Sequence, residues 1–263
     1  LTLIQTGDNL GFAGGNNVGI RYALAKGDCG YVWLLNNDTV IDKCALIEMV
    51  EMSESDINVG MAGAKIFFYN KPNIIEAIGG SSINLKTLSS HAYFEEDQRQ
   101  WDKPIEPNYI TAASMLVRKH LIDRIGLLNE AYFMYIEDLD WSLKAKSEGY
   151  KLIYSYKSMI WHKKGSSTEI SGNWGNFLGR KSSRPSMKKF STTYYYNIRN
   201  RVYFAKKYFL AQRLACFFIY FPFKILRLVS GIYLYNDDHK SLRIKLIFKA
   251  VYDGLIGKMG KTV

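Results

Sequence analysis

The chain has 263 residues and a formal net charge of +11, and aromatic residues make up 14% of it. This length suits one large domain, or one domain with an appendage. An aromatic content this high excludes a chain that is disordered over most of its length. The three cysteines, Cys29, Cys44 and Cys216, have no metal-binding spacing and form no even set, so we expect free thiols in a reducing compartment.

The positive charge lies in the last third of the chain. Residues 1–179 contain 17 Lys and Arg against 21 Asp and Glu, whereas residues 180–263 contain 18 Lys and Arg against 3 acids. A charge step of this size indicates two functional parts, and it indicates an anionic partner for the second part.

The N-terminal part alternates strand patterns with helical patterns. Leu1–Gln5 has the pattern of a strand already in progress, so we expect further sequence upstream of it. The Gly- and Asn-rich segment Asn9–Asn17 is predicted to be a loop, followed by a helix over about 18–25. Tyr31–Leu35 is a continuous apolar run, which is typical of a strand buried on both faces. A second helix is predicted over about 43–52.

The pattern continues less regularly towards residue 165. We predict strands at 60–68, 109–118, 151–156 and 159–161, and helices at 119–125 and 139–148. The alternation of strands and helices indicates an α/β fold with a mostly parallel sheet. Residues 166–190 are rich in Ser, Gly, Asn and Lys, and we predict a linker or a loop there.

Three polar residues, Asn36, Asn37 and Asp38, follow the apolar strand directly. Ligands of open α/β sheets bind beyond the carboxyl ends of the strands. A carboxylate at that place can hold Mg²⁺ or Mn²⁺, which bridges diphosphate oxygens. Asn and Asp are also common in ordinary turns after strands, so this motif by itself leaves both interpretations open.

Carboxylates cluster at the start of the helix predicted over 139–148. Glu137, Asp138 and Asp140 occupy three of four successive positions. Helix capping accounts for one or two of them, because the helix dipole favours negative charge at the N-terminus. Three carboxylates this close repel one another, which favours a metal, a catalytic base or a cationic substrate.

Two further features are weaker signals. His162 follows the strand that ends at Trp161, and a lone His is more often structural than a ligand. A neutral imidazole beside a carboxylate is nevertheless a good partner for Mn²⁺. Gly11, Gly14 and Gly15 permit close approach of the backbone to a ligand, although the segment matches neither a P-loop nor a GxGxxG motif.

Taken in order, four motifs resemble those of family 2 glycosyltransferases. They are Asn-Leu-Gly-Phe-Ala-Gly-Gly-Asn-Asn at 9–17, Leu-Leu-Asn-Asn-Asp at 34–38, Phe-Met-Tyr-Ile-Glu-Asp-Leu-Asp at 133–140 and Trp-His at 161–162. Tyr194–Arg201 is similar to the Tyr-Tyr-x-x-Arg-Asn signature of the rhamnosyltransferase-like branch, which builds bacterial surface polysaccharides. The resemblance covers about residues 1–210, and it implies a GT-A fold, a Rossmann-like sheet flanked by helices.

The resemblance also implies an activity and roles for residues at matching positions. The family transfers a sugar, with inversion, from a nucleotide-diphosphate donor to a glycan or lipid-linked acceptor, and it uses Mg²⁺ or Mn²⁺. Asp38 and His162 would bind the metal, and Asp138 would be the catalytic base. The other implied assignments are base orientation or acceptor binding by Glu137 and Asp140, and donor binding by Asn36, Asn37, Asp38, Gly11, Gly14 and Asn16.

This sequence departs from the family pattern in three ways. The motif at 36–38 is Asn-Asn-Asp, with one carboxylate where many members have two. Lys144 stands where the family usually has Arg, which removes a bidentate contact. The family's first strand, with the loop that holds the nucleotide base, is absent before Leu1. We therefore expect residues 1–180 to be an N-terminally truncated catalytic domain.

Residues 181–263 are predicted to form a basic, helical, membrane-associating extension. One helical face carries Ile244, Ile247, Phe248, Val251 and Leu255. Ordinary helices packed on the domain are the alternative interpretation. The basic charge and the aromatic residues suit an anionic membrane surface, and no nucleic-acid motif is present. We therefore expect a peripheral protein at the cytoplasmic face of the membrane.

Two other functions stay open. A chain that lacks the nucleotide-binding opening would be a catalytically incomplete remnant that binds nucleotide sugars. A nucleotidyltransferase on a similar sheet would need a phosphate loop with Arg or Lys, and segment 9–17 contains neither. A rhamnose donor is an expectation of the resemblance alone.

Overall fold

A computed structural model describes residues 1–84, 89–91, 93–163, 187–208, 221–234 and 239–262. Its residues group into two compact units. Among the described residues, the first unit contains those within Leu1–Ile83, Ser90–Asn129 and Glu137–Glu169, and the second contains those within Asn84–Ser89, Glu130–Ile136 and Ile170–Val263. The boundary predicted at residue 180 and most of the linker predicted at 166–190 lie outside the described residues.

The described residues up to 162 contain both strands and helices. The strands are β1 (Tyr31–Leu35), β2 (Thr39–Ile41), β3 (Val59–Phe68), β4 (Lys71–Ile78), β5 (Ser82–Asn84), β6 (Ser89–His91), β7 (Glu95–Glu96), β8 (Ser114–Arg118) and β9 (Lys151–His162). The helices are α1 (Gly11–Lys26), α2 (Ala45–Glu54), α3 (Lys119–Ile125) and α4 (Glu137–Ser147), with a 3₁₀ turn at Glu130–Tyr132. Strands β5 and β6 pair with each other, and the other seven strands form one sheet.

The seven-stranded sheet is mixed, so the prediction of a mostly parallel sheet was wrong. Its order is β1-β8-β3-β4-β7, and β9 pairs with both β3 and β2. Within this sheet, the described strands β3 and β9 pair in parallel, and the other pairs are antiparallel. The reason is β8, which lies between β1 and β3 and runs against both. Strands β1, β3 and β9 therefore share one direction, and their carboxyl ends face one edge of the sheet.

Burial explains why β3 lies inside the sheet. Every residue of β3 except Phe68 is buried, as expected for a strand covered on both faces. Met61 of this strand packs in one core with Leu121, Trp141 and Leu152. Each large apolar side chain buried in this way stabilises the fold by about 1.5–3 kcal/mol. The helix predicted at 119–125 is confirmed as α3.

The N-terminal segment differs from its prediction. Leu1–Gln5 forms no strand and is exposed. Segment Asn9–Asn17 is mostly helical instead of a loop, because α1 begins at Gly11. The side chain of Asn17 is buried and pairs with the backbone of Leu128, through an N–H at 3.1 Å and a carbonyl at 2.9 Å. Such tertiary contacts override the low helix propensity of Gly and Asn.

Two strand boundaries also differ from the predictions. The strand predicted at 109–118 begins only at Ser114, as β8. The strands predicted at 151–156 and 159–161 form one continuous strand, β9. The pairing of β9 with β3 shifts register midway, which accommodates the residues between the two predicted pieces.

The described part of the second unit contains three long helices. They are α5 (Met187–Tyr208), α6 (Phe221–Leu234) and α7 (Lys240–Ile256). Their buried core contains Tyr195, Tyr196, Ile198, Leu228, Ile232, Ile247 and Ala250. Of the apolar face predicted for α7, Ile247 is buried, whereas Phe248 and Leu255 are exposed. Within the described ranges, no helix is both long enough and apolar enough to cross a membrane.

Candidate active site

The segment Asn36-Asn37-Asp38 leaves the carboxyl end of β1 and leads into β2. The backbone of Asn36 is fixed on two sides. Its N–H donates to the carbonyl of Ala113 at 3.1 Å, and its own carbonyl accepts from Thr39 Oγ1 at 2.6 Å. Asn37 is exposed, and the Asp38 side chain is 16% exposed. The motif thus presents one partly accessible carboxylate at the edge of the sheet.

His162 reaches the same place from the carboxyl end of β9. Strands β2 and β9 pair so that Thr39 lies opposite His162. The N–H of Lys163 donates to the Asp38 carbonyl at 2.7 Å, and His162 Nε2 lies 3.1 Å from Asp38 Oδ1. The structure therefore brings together the two residues that the sequence assigns to a metal.

Glu76 on β4 contacts the other side of the same imidazole ring. Its Oε2 lies 3.2 Å from His162 Nδ1, and both side chains are buried. Sequence analysis missed Glu76, which is separated from His162 by 86 residues. A signal did exist, because Glu76 interrupts the apolar run 74–78, and a carboxylate buried in a strand needs a polar partner.

Of these groups, Asp38 and His162 together could bind a divalent cation. Within the described ranges, no three His, Cys, Asp or Glu side chains form a group that could hold a metal ion. Asp38 and Glu76 approach opposite nitrogens of His162, so the ring separates the two carboxylates. Asp38 Oδ1 and His162 Nε2 remain on one side. A carboxylate oxygen with an imidazole nitrogen suits Mn²⁺, and diphosphate oxygens are the usual further ligands of Mg²⁺.

The second acidic motif begins α4, and its three acids have different surroundings. Asp138 Oδ2 accepts from the N–H of Ala112 at 3.3 Å, and Oδ1 accepts from the N–H of Leu139 at 2.8 Å. Glu137 is buried, and its Oε2 has no hydrogen-bond partner in the described part of the chain. Burial, reinforced by the charge of Asp138, holds the pKa of the Glu137 carboxyl well above its usual range. Asp140 is also buried.

Two successive alanines connect the two motifs. Ala112 donates its N–H to Asp138, and the carbonyl of Ala113 accepts from Asn36. The strand that follows these alanines, β8, pairs with β1 along its whole length. The antiparallel position of β8 therefore places both motifs at the same edge of the sheet, which no spacing in the sequence indicates.

Three residues that the sequence assigns to donor binding lie on α1. Gly11 begins the helix with a φ of +72°, a conformation that favours glycine. Gly14 is buried, and Asn16 donates its side-chain N–H to the carbonyl of Phe12 at 2.8 Å. These contacts are internal to the helix, so donor binding by this segment stays a prediction.

Lys144, at the position where the sequence resemblance implies Arg, has a backbone partner. Its Nζ donates to the carbonyl of Ile125, the last residue of α3. A cation at the carboxyl end of a helix is stabilised by the helix dipole. Lys144 thus caps α3 from its position on α4.

The signature at 194–201 lies on α5 and holds the loop at 130–136. Asn200 Nδ2 donates to the carbonyls of Tyr132, Met134 and Tyr135 at 3.0, 2.7 and 2.8 Å. Three non-glycine residues of this loop have positive φ: Phe133, Tyr135 and Ile136. Backbone of this kind costs of order 1–3 kcal/mol for each residue and persists only where surrounding contacts hold it. The chain runs from this loop directly into the acidic motif at 137–140.

Comparison with known proteins identifies a family that this chain matches. The sequence profile described as glycosyl transferase family group 2 matches residues 31–234. The low-salt glycan biosynthesis hexosyltransferase Agl10 of Haloferax volcanii is 26% identical over an alignment of 161 residues that covers 55% of this chain and 46% of that protein. The chain thus spans about half the length of this curated relative.

The fold is similar to that of a solved glycosyltransferase. The crystal structure of GalNAc-T7 with UDP, GalNAc and Mn²⁺ superposes with a TM-score of 0.52 at 12% identity, covering 91% of this chain and 42% of that one. At this identity the likeness concerns the fold alone, and it confirms the predicted GT-A type of α/β fold. Since the family profile matches more than half of the chain, the chain belongs to glycosyl transferase family group 2.

Proposed function

We propose that this member of the family is an inverting glycosyltransferase. It moves a sugar from a nucleoside-diphosphate donor to a hydroxyl of a glycan or lipid-linked glycan, with Mg²⁺ or Mn²⁺ as cofactor. The observation that carries the proposal is the 3.1 Å approach of His162 Nε2 to Asp38 Oδ1. Ala112 and Ala113 link this edge of the sheet to Asp138. The same edge therefore carries two ligands for a cation and an oriented carboxylate that can accept a proton.

Asp138 acts as the base. The acceptor oxygen attacks the anomeric carbon from the face opposite the leaving group, so the configuration inverts. A bond from carbon to the acceptor oxygen forms as the bond to the diphosphate breaks, and the nucleoside diphosphate leaves with the electron pair. The hydroxyl proton passes to Asp138, whose two oxygens are oriented by the N–H groups of Ala112 and Leu139.

Asp38 and His162 hold the cation, and Asn36 and Asn37 contact the donor diphosphate. When bound, the cation supplies positive charge that stabilises the departing diphosphate. The similarly folded GalNAc-T7 was crystallised with UDP and Mn²⁺, which supports a divalent cation here. On α1, Gly11, Gly14 and Asn16 contribute to donor binding.

Glu137 and Asp140 complete the acidic motif. The raised pKa of Glu137 keeps a proton on this buried carboxyl over a wider pH range than in water. A protonated carboxyl donates a hydrogen bond, and Oε2 of Glu137 has no partner among the residues that the structure describes. Glu137 therefore orients the base or the acceptor sugar, and Asp140 contributes to acceptor binding.

The donor sugar is a hexose of the rhamnose type, and the acceptor belongs to a cell-surface polysaccharide. The relative Agl10 is named as a hexosyltransferase of glycan biosynthesis, which supports a hexose as the transferred sugar. The signature at 194–201 supports rhamnose and a bacterial polysaccharide in particular.

A donor panel tests the proposed reaction. The chain is incubated with nucleotide sugars, Mn²⁺ and lipid-linked acceptors, and the product is analysed by NMR. We expect one donor to be consumed, a glycoside of inverted configuration to form, and EDTA to stop the reaction. Release of pyrophosphate would instead indicate a nucleotidyltransferase. Binding of nucleoside diphosphate without turnover of any donor would indicate a remnant.

We also propose that residues 1–180 form the catalytic domain and residues 181–263 an extension that binds the cytoplasmic face of an anionic membrane. The side chains that support it are exposed large apolar groups on α6 and α7: Phe223, Leu226, Tyr233, Leu242, Phe248, Tyr252, Leu255 and Ile256. Exposed Lys245 and Lys249 accompany them on α7. Aromatic and basic side chains together favour an interface with anionic lipids. The other faces of these helices pack against one another in a buried apolar core, as in ordinary helix packing.

Sedimentation with anionic liposomes tests the membrane contact. Phe248→Ser combined with Tyr252→Ser should reduce binding by about 100-fold or more, because the two aromatic side chains together contribute about 3 kcal/mol or more when buried. Ile47→Ser, at an exposed apolar position in the first unit, is the matched control and should bind like the wild type. Equal binding by the double variant and the control would contradict the proposal.

A further inference from the structure

We propose that Glu76 is a positioning residue that fixes the imidazole of His162, so that Nε2 is directed at the cation held with Asp38. This inference rests on the proposed function. It adds a residue on β4, whereas Asp38 immediately precedes β2 and His162 ends β9, and neither acidic motif contains this residue. Glu76 positions the side chain of His162, and His162 in turn binds a divalent cation.

The contact is a buried one and crosses the sheet. Glu76 lies on β4 and His162 on β9, and β3 runs between these two strands. The Oε2 atom of Glu76 nevertheless reaches Nδ1 of His162 at 3.2 Å. The side chains of Glu76 and His162 are 9% and 10% exposed. A carboxylate buried at this depth requires polar partners, and the ring of His162 is one of them.

Geometry excludes Glu76 as a third ligand through the same ring. It binds the Nδ1 side, whereas Asp38 binds the Nε2 side. A cation next to Asp38 and Nε2 is therefore separated from Glu76 by the imidazole itself. The contact through which Glu76 acts on the cation is therefore the one with His162.

A cation bound to Nε2 requires one tautomer of the ring, because Nε2 must then offer its lone pair while Nδ1, next to Glu76, carries the proton. A neutral imidazole carries one N–H, and the nitrogen without it offers the lone pair. When Nδ1–H donates to the Glu76 carboxylate, the lone pair is on Nε2 and is directed towards Asp38. A carboxylate on the far nitrogen also makes the ligand more basic and holds the plane of the ring.

Titration of Mn²⁺ in the presence of nucleoside diphosphate measures the effect. Partners of this kind are worth about 10–100-fold in metal affinity, so Glu76→Leu should weaken binding by about 100-fold. Glu76→Gln keeps an acceptor oxygen but loses the charge, and it should weaken binding by about tenfold. Glu51→Gln, at an exposed glutamate of α2, is the matched control and should bind like the wild type.

The tautomer supplies a readout that a merely structural role would not change. Long-range nitrogen–proton spectra of the Mg²⁺-loaded chain, with His162→Gln to assign the ring, should show the proton on Nδ1 in the wild type. Glu76→Leu should populate both tautomers. A proton on Nε2 in the wild type, or unchanged Mn²⁺ affinity in both Glu76 variants, would overturn the inference. A wild type that binds no Mn²⁺ would instead refute the metal in the proposed function, which separates the two failures.

Discussion

His162 Nε2 lies 3.1 Å from Asp38 Oδ1, although 124 residues separate the two in sequence. Strand register produces this contact. Thr39 and His162 are register partners in the antiparallel pair β2 and β9, and Asp38 immediately precedes Thr39. The contact therefore follows from the pairing of two strands, and it predicts that Asp38 and His162 act on one cation.

Replacing Asp38 should test that pair directly. Asp38→Asn removes the negative charge that would hold the cation and leaves the shape of the side chain. We expect Mn²⁺ affinity to fall by about 100-fold or more, since loss of even an outer partner of a ligand costs about 10–100-fold. The measurement is a Mn²⁺ titration followed by electron paramagnetic resonance. Asp28→Asn, at an exposed aspartate, is the control, and equal affinity in the two variants would contradict the assignment.

The buried Glu137 predicts a pH dependence of stability. Its pKa is raised in the folded chain by burial and by Asp138, so the folded state holds a proton that the unfolded chain releases above its own pKa of about 4.3. The stability contributed by this group is complete below that value, and it is lost as pH rises through the folded pKa. Glu137→Gln resembles the protonated form at every pH.

The free energy of unfolding of Glu137→Gln should therefore match that of the wild type near pH 4 and exceed it increasingly towards pH 8. Denaturant unfolding of the metal-free proteins at a series of pH values measures the difference. Glu51→Gln should show no such divergence, because that side chain is exposed. A constant difference between Glu137→Gln and the wild type across this range would refute the prediction.

Asn200 should be important for stability, because its side-chain amide donates its two N–H groups to three carbonyls of a loop with positive φ. Asn200→Ala leaves those carbonyls without this donor, and each hydrogen bond is worth about 1 kcal/mol net. Since the amide has two N–H groups to share among these carbonyls, we expect a loss of about 2 kcal/mol in the free energy of unfolding. Urea unfolding measures it, with Asn73→Ala at an exposed position as the control. A loss of unfolding free energy no greater than that of the control would show that the loop keeps its conformation without Asn200.

Much of the site could be predicted because its motifs are local. The strand at 31–35 and the helix at 119–125 were predicted with the bounds that the structure gives them, since an uninterrupted apolar run and a closing glycine mark them. The polar residues after β1 and the acids at the start of α4 are visible for the same reason. Each is a short pattern at the end of one element.

The rest depends on contacts between distant segments. The insertion of β8 between β1 and β3 converts an expected parallel sheet into a mixed one, and alternation of strands and helices carries no information about it. Helix α1 begins inside a Gly- and Asn-rich segment because burial, including that of Asn17 on Leu128, outweighs local propensity. Glu76 is identified only when β4 and β9 are placed in one sheet.

The central claim is that Asp138 removes the acceptor proton during sugar transfer, while Asp38 and His162 hold the cation. Its most direct test is single-turnover sugar transfer by Asp138→Asn, with nucleoside-diphosphate and Mn²⁺ binding measured on the same protein. A positioned base contributes typically about 10²–10⁴-fold to such a step. The account predicts a loss of transfer within that range, with donor and Mn²⁺ affinities close to those of the wild type and of Asp28→Asn. Transfer at the wild-type rate by Asp138→Asn would contradict it.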